Sequence, residues 1–268
     1  MPAAKPNELR LASLAEQPDL ADRFWPQKER IWPGFMFEDQ VADALWRHLH
    51  DDFASYQLYL LAEANAPVAV AQTVPLVWNG TLDDLPVGWD DGFMRAIAGL
   101  QDGTAPNTLM GLEIAIQPEY QGKGISYRMV QAVRQRAADE GFQGVIVAVR
   151  PSLKSRYPLT SMARYVRWQG QDGAPFDPWL RVHWRCGGEI LKVAHPSMVI
   201  EGSVAEWEEW TGLAFPESGD YIVPGALCPI EIDRTMDVGR YIEPNIWVHH
   251  PLDNRRLLSG HQPPPIDN

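Results

Sequence analysis

The sequence predicts a domain of mixed α and β structure, and three observations predict it. Apolar runs of strand length recur along the chain, several other stretches carry helical spacing, and residues 108–151 read as strand, Gly-rich loop, helix and strand in succession. The 268 residues allow one large domain, or one of about 200 residues with an extension. With 45% hydrophobic and 22% charged residues the chain has the make-up of a globular protein with a real core.

Residues 1–8 read as a loose start, followed by a strand over residues 9–14 and two helical stretches. The second, residues 39–53, places Val41, Leu45, Leu49 and less regularly Trp46 on one side. Two apolar strands follow around Asn65-Ala66-Pro67, which has hairpin turn chemistry. Residues 80–107 then break the pattern with Gly, Asp and Pro around a short amphipathic piece at 92–100, an insertion that reads as a lid or binding loop. A buried strand over 109–116 leads into a glycine-rich loop. A helix over 124–140 puts Ile125, Met129, Ala132, Val133 and Ala137 on one face, Gly141 stops it, and GVIVAVR forms the next strand. After a Pro- and Gly-punctuated connection comes a short helix stopped by Gly187-Gly188, then one or two strands. Ser203 and Glu206 form a capping box opening a helix that Gly212 closes, and a hairpin turns around residues 236–239. The tail, residues 259–268, is loose.

Composition excludes several functions. Twenty-three basic against 35 acidic residues give a net charge of −12, which repels nucleic acid and anionic membranes. Such a surface either attracts a cationic partner or simply keeps the protein soluble. No run approaches a membrane span, and the N-terminal segment is charged where a signal peptide is apolar, so a cytoplasmic protein is expected. Two cysteines, Cys186 and Cys228, make no disulfide framework and suit a reducing compartment. His183 and Cys186 have the spacing of a zinc half-site, but only Cys228 and His249-His250 could complete it from afar, so no metal is expected. Eleven tryptophans predict a well-anchored surface or cleft.

The chemistry concentrates at Gln121-Gly122-Lys123-Gly124-Ile125-Ser126, between a buried strand and a helix. Unpaired N–H groups and the positive end of the helix dipole make an anion cradle there, and glycines let a phosphate approach the backbone. The loop is neither a Walker A nor a dinucleotide fingerprint. IAIQPEYQGKGIS resembles the acyl-CoA-binding motif of the GCN5-related N-acetyltransferase (GNAT) superfamily, [QR]-x-x-G-x-[GA]: Gln121, Gly122, Lys123 and Gly124 match, and Ser126 departs at the last small position.

The resemblance implies a GNAT-like fold, a central mixed twisted sheet flanked by helices over about residues 9–200. We therefore expect a catalytic domain at 1–200, with the 80–107 insertion, and a C-terminal extension of a helix and a β-hairpin at 201–268 packed on it. It also implies acetyl-CoA or another acyl-CoA as co-substrate. Ile114, Ala115 and Ile116 would offer backbone groups to the pantetheine arm, and Gln121 with the N–H groups of Gly122, Gly124 and Ser126 would hold the pyrophosphate, Lys123 assisting as a nearby cation.

Acyl transfer to an amine needs a proton acceptor and a donor for the departing thiolate. Glu113 interrupts the apolar run LMGLEIAI, where a carboxylate needs a cleft or a partner, and is the candidate base or water-orienting group. The family's general acid is a tyrosine in F-Y-x-x-x-G-F; the corresponding stretch here puts His183 at that place, with Tyr157, Tyr165 and Tyr241 as substitutes. Glu113 also reads as a structurally paired acid, and His183 as a histidine satisfied by a backbone carbonyl. The function expected is N-acyl transfer, most simply of acetyl, to a primary amine of a small-molecule acceptor. A non-catalytic CoA sensor or scaffold, and an acyltransferase with a longer or carrier-bound donor, remain as alternatives. Exposed tryptophans and strand edges in the extension allow a homodimer.

Overall fold

The computed structural model describes residues 9–28 and 30–252; the expectations for residues 1–8 and 259–268 lie outside them. Nine strands form one sheet in the order β1-β2-β3-β4-β5-β9-β8-β7, with β6 paired to β9 off that path. The first five are β1 (Arg10–Ser13), β2 (Leu58–Leu61), β3 (Pro67–Leu76), β4 (Thr108–Ile116) and β5 (Gly144–Val149). They are antiparallel except β4 and β5, which run parallel. All ten residues of β3 are buried, as a strand covered on both faces must be.

One face carries α5 (Ile125–Asp139) and α7 (Pro178–Arg185). Ile125, Met129, Val133 and Ala137 pack on Leu58, Leu60, Ala69, Ala71, Leu109 and Val145. The other face carries α1 (Leu20–Lys28), α2 (Gln40–Leu45), α3 (His48–Asp51) and α4 (Trp89–Gln101). The stretch expected as one helix at 39–53 tightens after Trp46: the N–H groups of Leu49 and His50 reach back only three residues, and two short helices result. Asp39 caps the first, accepting from the Ala42 N–H at 2.7 Å.

Within residues 80–107, α4 is longer than predicted and is not a lid. Trp89, Phe93, Ala96 and Ile97 follow helical spacing and pack with Val74, Met110, Ile146 and Trp247 in the core. The aromatic anchor Trp89 extends the helix by donating its indole N–H to the Leu112 carbonyl at 2.9 Å.

Beyond residue 200 the capping box opens α8 (Val204–Thr211), which Gly212 closes in the left-handed conformation. β8 (Ile230–Asp233) and β9 (Val238–Pro251) form the expected hairpin, and a short strand, β7 (Gly219–Tyr221), adds to its edge. This segment does more than pack on residues 1–200. β9 runs beside β6 (Glu189–Gly202) along its length, while its C-terminal half pairs with β5 on the other side. It therefore supplies a central strand, and Trp247 and Ile246 carry the core through it. Sequence periodicity reports which residues are apolar, not which strand lies next to which.

Candidate active site

The loop at 121–124 turns the chain from the end of β4 into α5 and is built by its glycines. Gly122 and Gly124 have φ of 72° and 77°, in the left-handed region where a side chain is strained. Gly124 is the N-cap of α5 and offers no capping side chain, so the first N–H groups of the helix face outward with the positive dipole end. Residues 121–124 are exposed. Gln121 folds back to donate to the Ile116 carbonyl at 3.0 Å, and Lys123 donates to the Glu119 carbonyl at 2.6 Å beside the Tyr120 ring.

Below the loop, β4 and β5 part. They pair only from Thr108 to Gly111 against Gly144 to Val147; beyond that, residues 113–116 pair with β3 alone and residues 148–149 with β9 alone. A bulge accompanies the divergence. Gln72 lies opposite Glu113 and Thr73 opposite Gly111, so Leu112 has no partner and the strand bends. The gap opens a cavity of about 400 Å³, walled by Ile114, Ile116, Val130, Val147, Val149 and Trp179, with Gln121 and Ser126 at its loop end. Ile114 and Ile116 thus face the cleft, whereas the Ala115 side chain packs on Leu20 and Phe24 behind it and leaves only backbone at the edge.

A second cavity, of about 290 Å³, lies on the α1–α4 face between Trp25, Met36, Phe37, Trp46, Trp89 and Met198. Its charged groups are Lys28, Asp43, Glu113, Arg150 and Glu243. Trp32, Leu112, Glu113, Ala148 and Arg150 line both cavities, so the two meet in the gap between β4 and β5.

Glu113 stands at that junction with both carboxylate oxygens engaged. Lys28 Nζ is 2.6 Å from Oε2, and the Trp32 indole donates to Oε1 at 2.7 Å. The pair is nearly closed to solvent, at 5% and 7% side-chain exposure, and Lys28 also lies 4.3 Å over the Trp46 ring. This is how a carboxylate in an apolar strand is tolerated: its charge is paired and each of its oxygens accepts a hydrogen bond. Arg150 is held similarly. Its Nε lies 2.9 Å from a Glu243 oxygen, and Tyr241 Oη and Asn245 Nδ2 also donate to that buried carboxylate.

His183 sits on the other face, on α7, and lines the first cavity alone. It is 1% exposed and packs on Trp179; its Nδ1 lies 2.8 Å from His250 Nε2, and its Nε2 has no partner. Burial, with His250 second, holds the His183 imidazole well below its usual range, and burial, then Arg134 and His249, lowers His250 to about 3. His183 is therefore a neutral imidazole at pH 7, able to donate a hydrogen bond but not to act as a pre-charged acid. Its partner is His250 rather than Cys186, and among the described residues no group of three or more His, Cys, Asp or Glu side chains gathers for a metal. Tyr165 and Tyr241 are consumed by Asp177 and Glu243 respectively, and neither they nor Tyr157 line either cavity.

Two further acids are withdrawn from solvent, Asp39 fully and Asp90 in part. Asp39 is fully buried and its carboxyl is raised by burial; Asp90 is raised to about 8 by burial and then by Asp39. Each keeps one oxygen without a partner, while Asp90 accepts the Val199 N–H with its other.

Lys28, Trp32, Trp89, Asp43, Arg150, Glu243 and Asn245 were not singled out from the sequence, and Trp46 was read only as part of a helix face. Glu243 and Asn245 carried a readable signal, since they interrupt the apolar run YIEPNIW as Glu113 interrupts its own. Lys28 carried none.

Comparison with known proteins shows the family. The model of the Acetyltransferase (GNAT) family matches residues 18–159. The arginine N-acetyltransferase avaD of Aspergillus versicolor is 30% identical over 273 residues, covering 90% of this chain and 93% of that protein. Among solved structures, the loading GNATL domain of CurA from Lyngbya majuscula superimposes with a TM-score of 0.58 at 17% identity, over 92% of this chain and 98% of its own. The GphF GNAT-like decarboxylase in complex with isobutyryl-CoA gives 0.53 at 18%, over 91% and 99%. The last two likenesses are of fold.

Proposed function

The chain belongs to the GNAT acetyltransferase family and is an N-acyltransferase that uses acyl-CoA; from that premise we propose that the cleft between β4 and β5 holds the donor and the aromatic cavity holds a small-molecule primary amine. One observation carries the reading. The two cavities share Trp32, Leu112, Glu113, Ala148 and Arg150 as walls, so a thioester entering from the loop side and an amine entering from the aromatic side would meet there.

The N–H groups of Gly122, Gly124 and Ser126 would take the pyrophosphate, with Gln121 swinging off the Ile116 carbonyl to join them and Lys123 adding a cation nearby. The unpaired edge at Ile114–Ile116 would bind the pantetheine amides as an added strand. Acetyl is the simplest acyl group for the site. The amine must lose a proton to attack, and Glu113 would accept it directly or through a water, on lone pairs not used by Lys28 and Trp32. As the C–N bond forms and the C–S bond breaks, the thiolate needs a donor. With a proton on Nε2, His183 would supply that hydrogen bond, its Nδ1 accepting from His250. The two unbridged cysteines fit the reducing cytoplasm as the site of action.

Calorimetric titration with acetyl-CoA, CoA and a medium-chain acyl-CoA, beside Gly124→Glu, tests the donor side; thiol release with an amine panel tests transfer. Binding that the glutamate abolishes, with amine-dependent CoA release, is the expected outcome. Folded protein that binds no CoA species would overturn the reading.

A further inference from the structure

The charges around the aromatic cavity do not balance. Lys28 is matched by Glu113 at 2.6 Å and Arg150 by Glu243 at 2.9 Å, which leaves Asp43. Asp43 lies on α2, exposed at the cavity wall beside Ala42 and Trp46, and its carboxylate makes no hydrogen bond or ion pair with another described residue. The cavity also has a direction. Its inner end is the junction with the donor cleft at Glu113 and Arg150, whereas Asp43 and Trp25, the latter 45% exposed, mark its open end. Phe37 stands 5.9 Å from Trp25, so the mouth combines aromatic surface with an uncompensated carboxylate. That combination recognises cations: the carboxylate supplies charge, the rings supply quadrupole and contact area. Lys28, seated over Trp25 and Trp46, already uses the same aromatic surface from the inside.

Resting on the reading of this cavity as the acceptor site, we infer that Asp43 selects acceptors carrying a second cationic group, a guanidinium or an ammonium, remote from the amine that is acylated. The distal cation pairs with Asp43 at the mouth while the reacting amine reaches the junction at Glu113. Inner carboxylates do not select it, because Lys28 and Arg150 occupy them. A neutral or anionic tail at the same distance leaves Asp43 unpaired and gains no contact in exchange.

The test uses full-length enzyme with acetyl-CoA and two matched acceptor series: primary alkylamines of increasing chain length ending in a guanidinium, and the same chains ending in the uncharged urea. We expect an optimum chain length at which the guanidinium has the higher kcat/KM by roughly tenfold. That ratio falls toward one in Asp43→Asn, is retained in Asp43→Glu, and shrinks as salt is raised. An unchanged ratio in Asp43→Asn, or a wild-type enzyme that acylates both series equally, overturns the selection while leaving N-acyl transfer standing. If acetyl-CoA binds but no amine of either series is acylated, the acceptor reading itself falls, and this inference with it.

Discussion

The proposed donor cleft and the proposed acceptor cavity share residues at one gap in the sheet yet are built from different materials. The donor side is mostly backbone: a strand edge released by a bulge, a loop with two left-handed glycines, and the bare N-terminus of α5, all within residues 111–126. The acceptor side is mostly side chains, drawn from residues 25–46, Trp89, Leu112 and Glu113, Ala148 and Arg150, Met198, Glu243 and Asn245. A pantetheine and its phosphates are the same whatever the acyl group, so backbone suffices to read them. Amines differ, and distinguishing them takes aromatic rings and charges placed by the tertiary fold.

The largest expected effect breaks the donor side alone. Gly124→Glu strains a backbone at φ 77° and puts a negative charge at the proposed phosphate site, so acyl-CoA affinity should fall by at least about 100-fold by calorimetry, with circular dichroism unchanged. Next is the shared junction. Glu113→Gln should lower kcat by about 10²–10³ while acyl-CoA still binds, and should cost about 3 kcal/mol in denaturant unfolding, because Lys28 is left buried without its partner. A loss of stability with kcat intact would show Glu113 to be structural.

The acceptor side should show its own pH dependence. Asp90 titrates at about 8 in the folded protein, against about 4 for an unfolded chain. Between those values the native state holds a proton that the unfolded state lacks, so this contribution to stability is full below about 4, falls steadily as pH rises to about 8, and is gone above it. The thermal midpoint should therefore drop as pH rises from about 5 to about 8 and level off above that, and Asp90→Asn should flatten the drop; equal slopes in both proteins would contradict the protonated carboxyl. The smallest effect belongs to the one motif departure. Ser126→Ala keeps the residue small and its N–H in place, and acyl-CoA affinity should change by less than about threefold in the same titration.

Legibility followed the same division. The loop and its helix were readable because glycine spacing, a strand that ends at proline and a 3.6-residue period are local properties. Glu113 was readable because a carboxylate in an apolar strand demands a partner; that the partner is Lys28, 85 residues earlier, was not. His183 was found by its position in a motif, but burial against His250 decided its protonation state, and that contact spans 67 residues.

Residues 121–126 thus determine by themselves a loop of left-handed glycines that opens a helix with unpaired N–H groups, because φ and those N–H groups depend on neighbours in the chain. The tertiary structure decided that residues 238–251 form a central strand, that α4 is core, and that six segments converge into an aromatic cavity with one unmatched carboxylate. Strand order, burial and charge pairing depend on residues far apart in the chain, and no local pattern encodes who their neighbours will be.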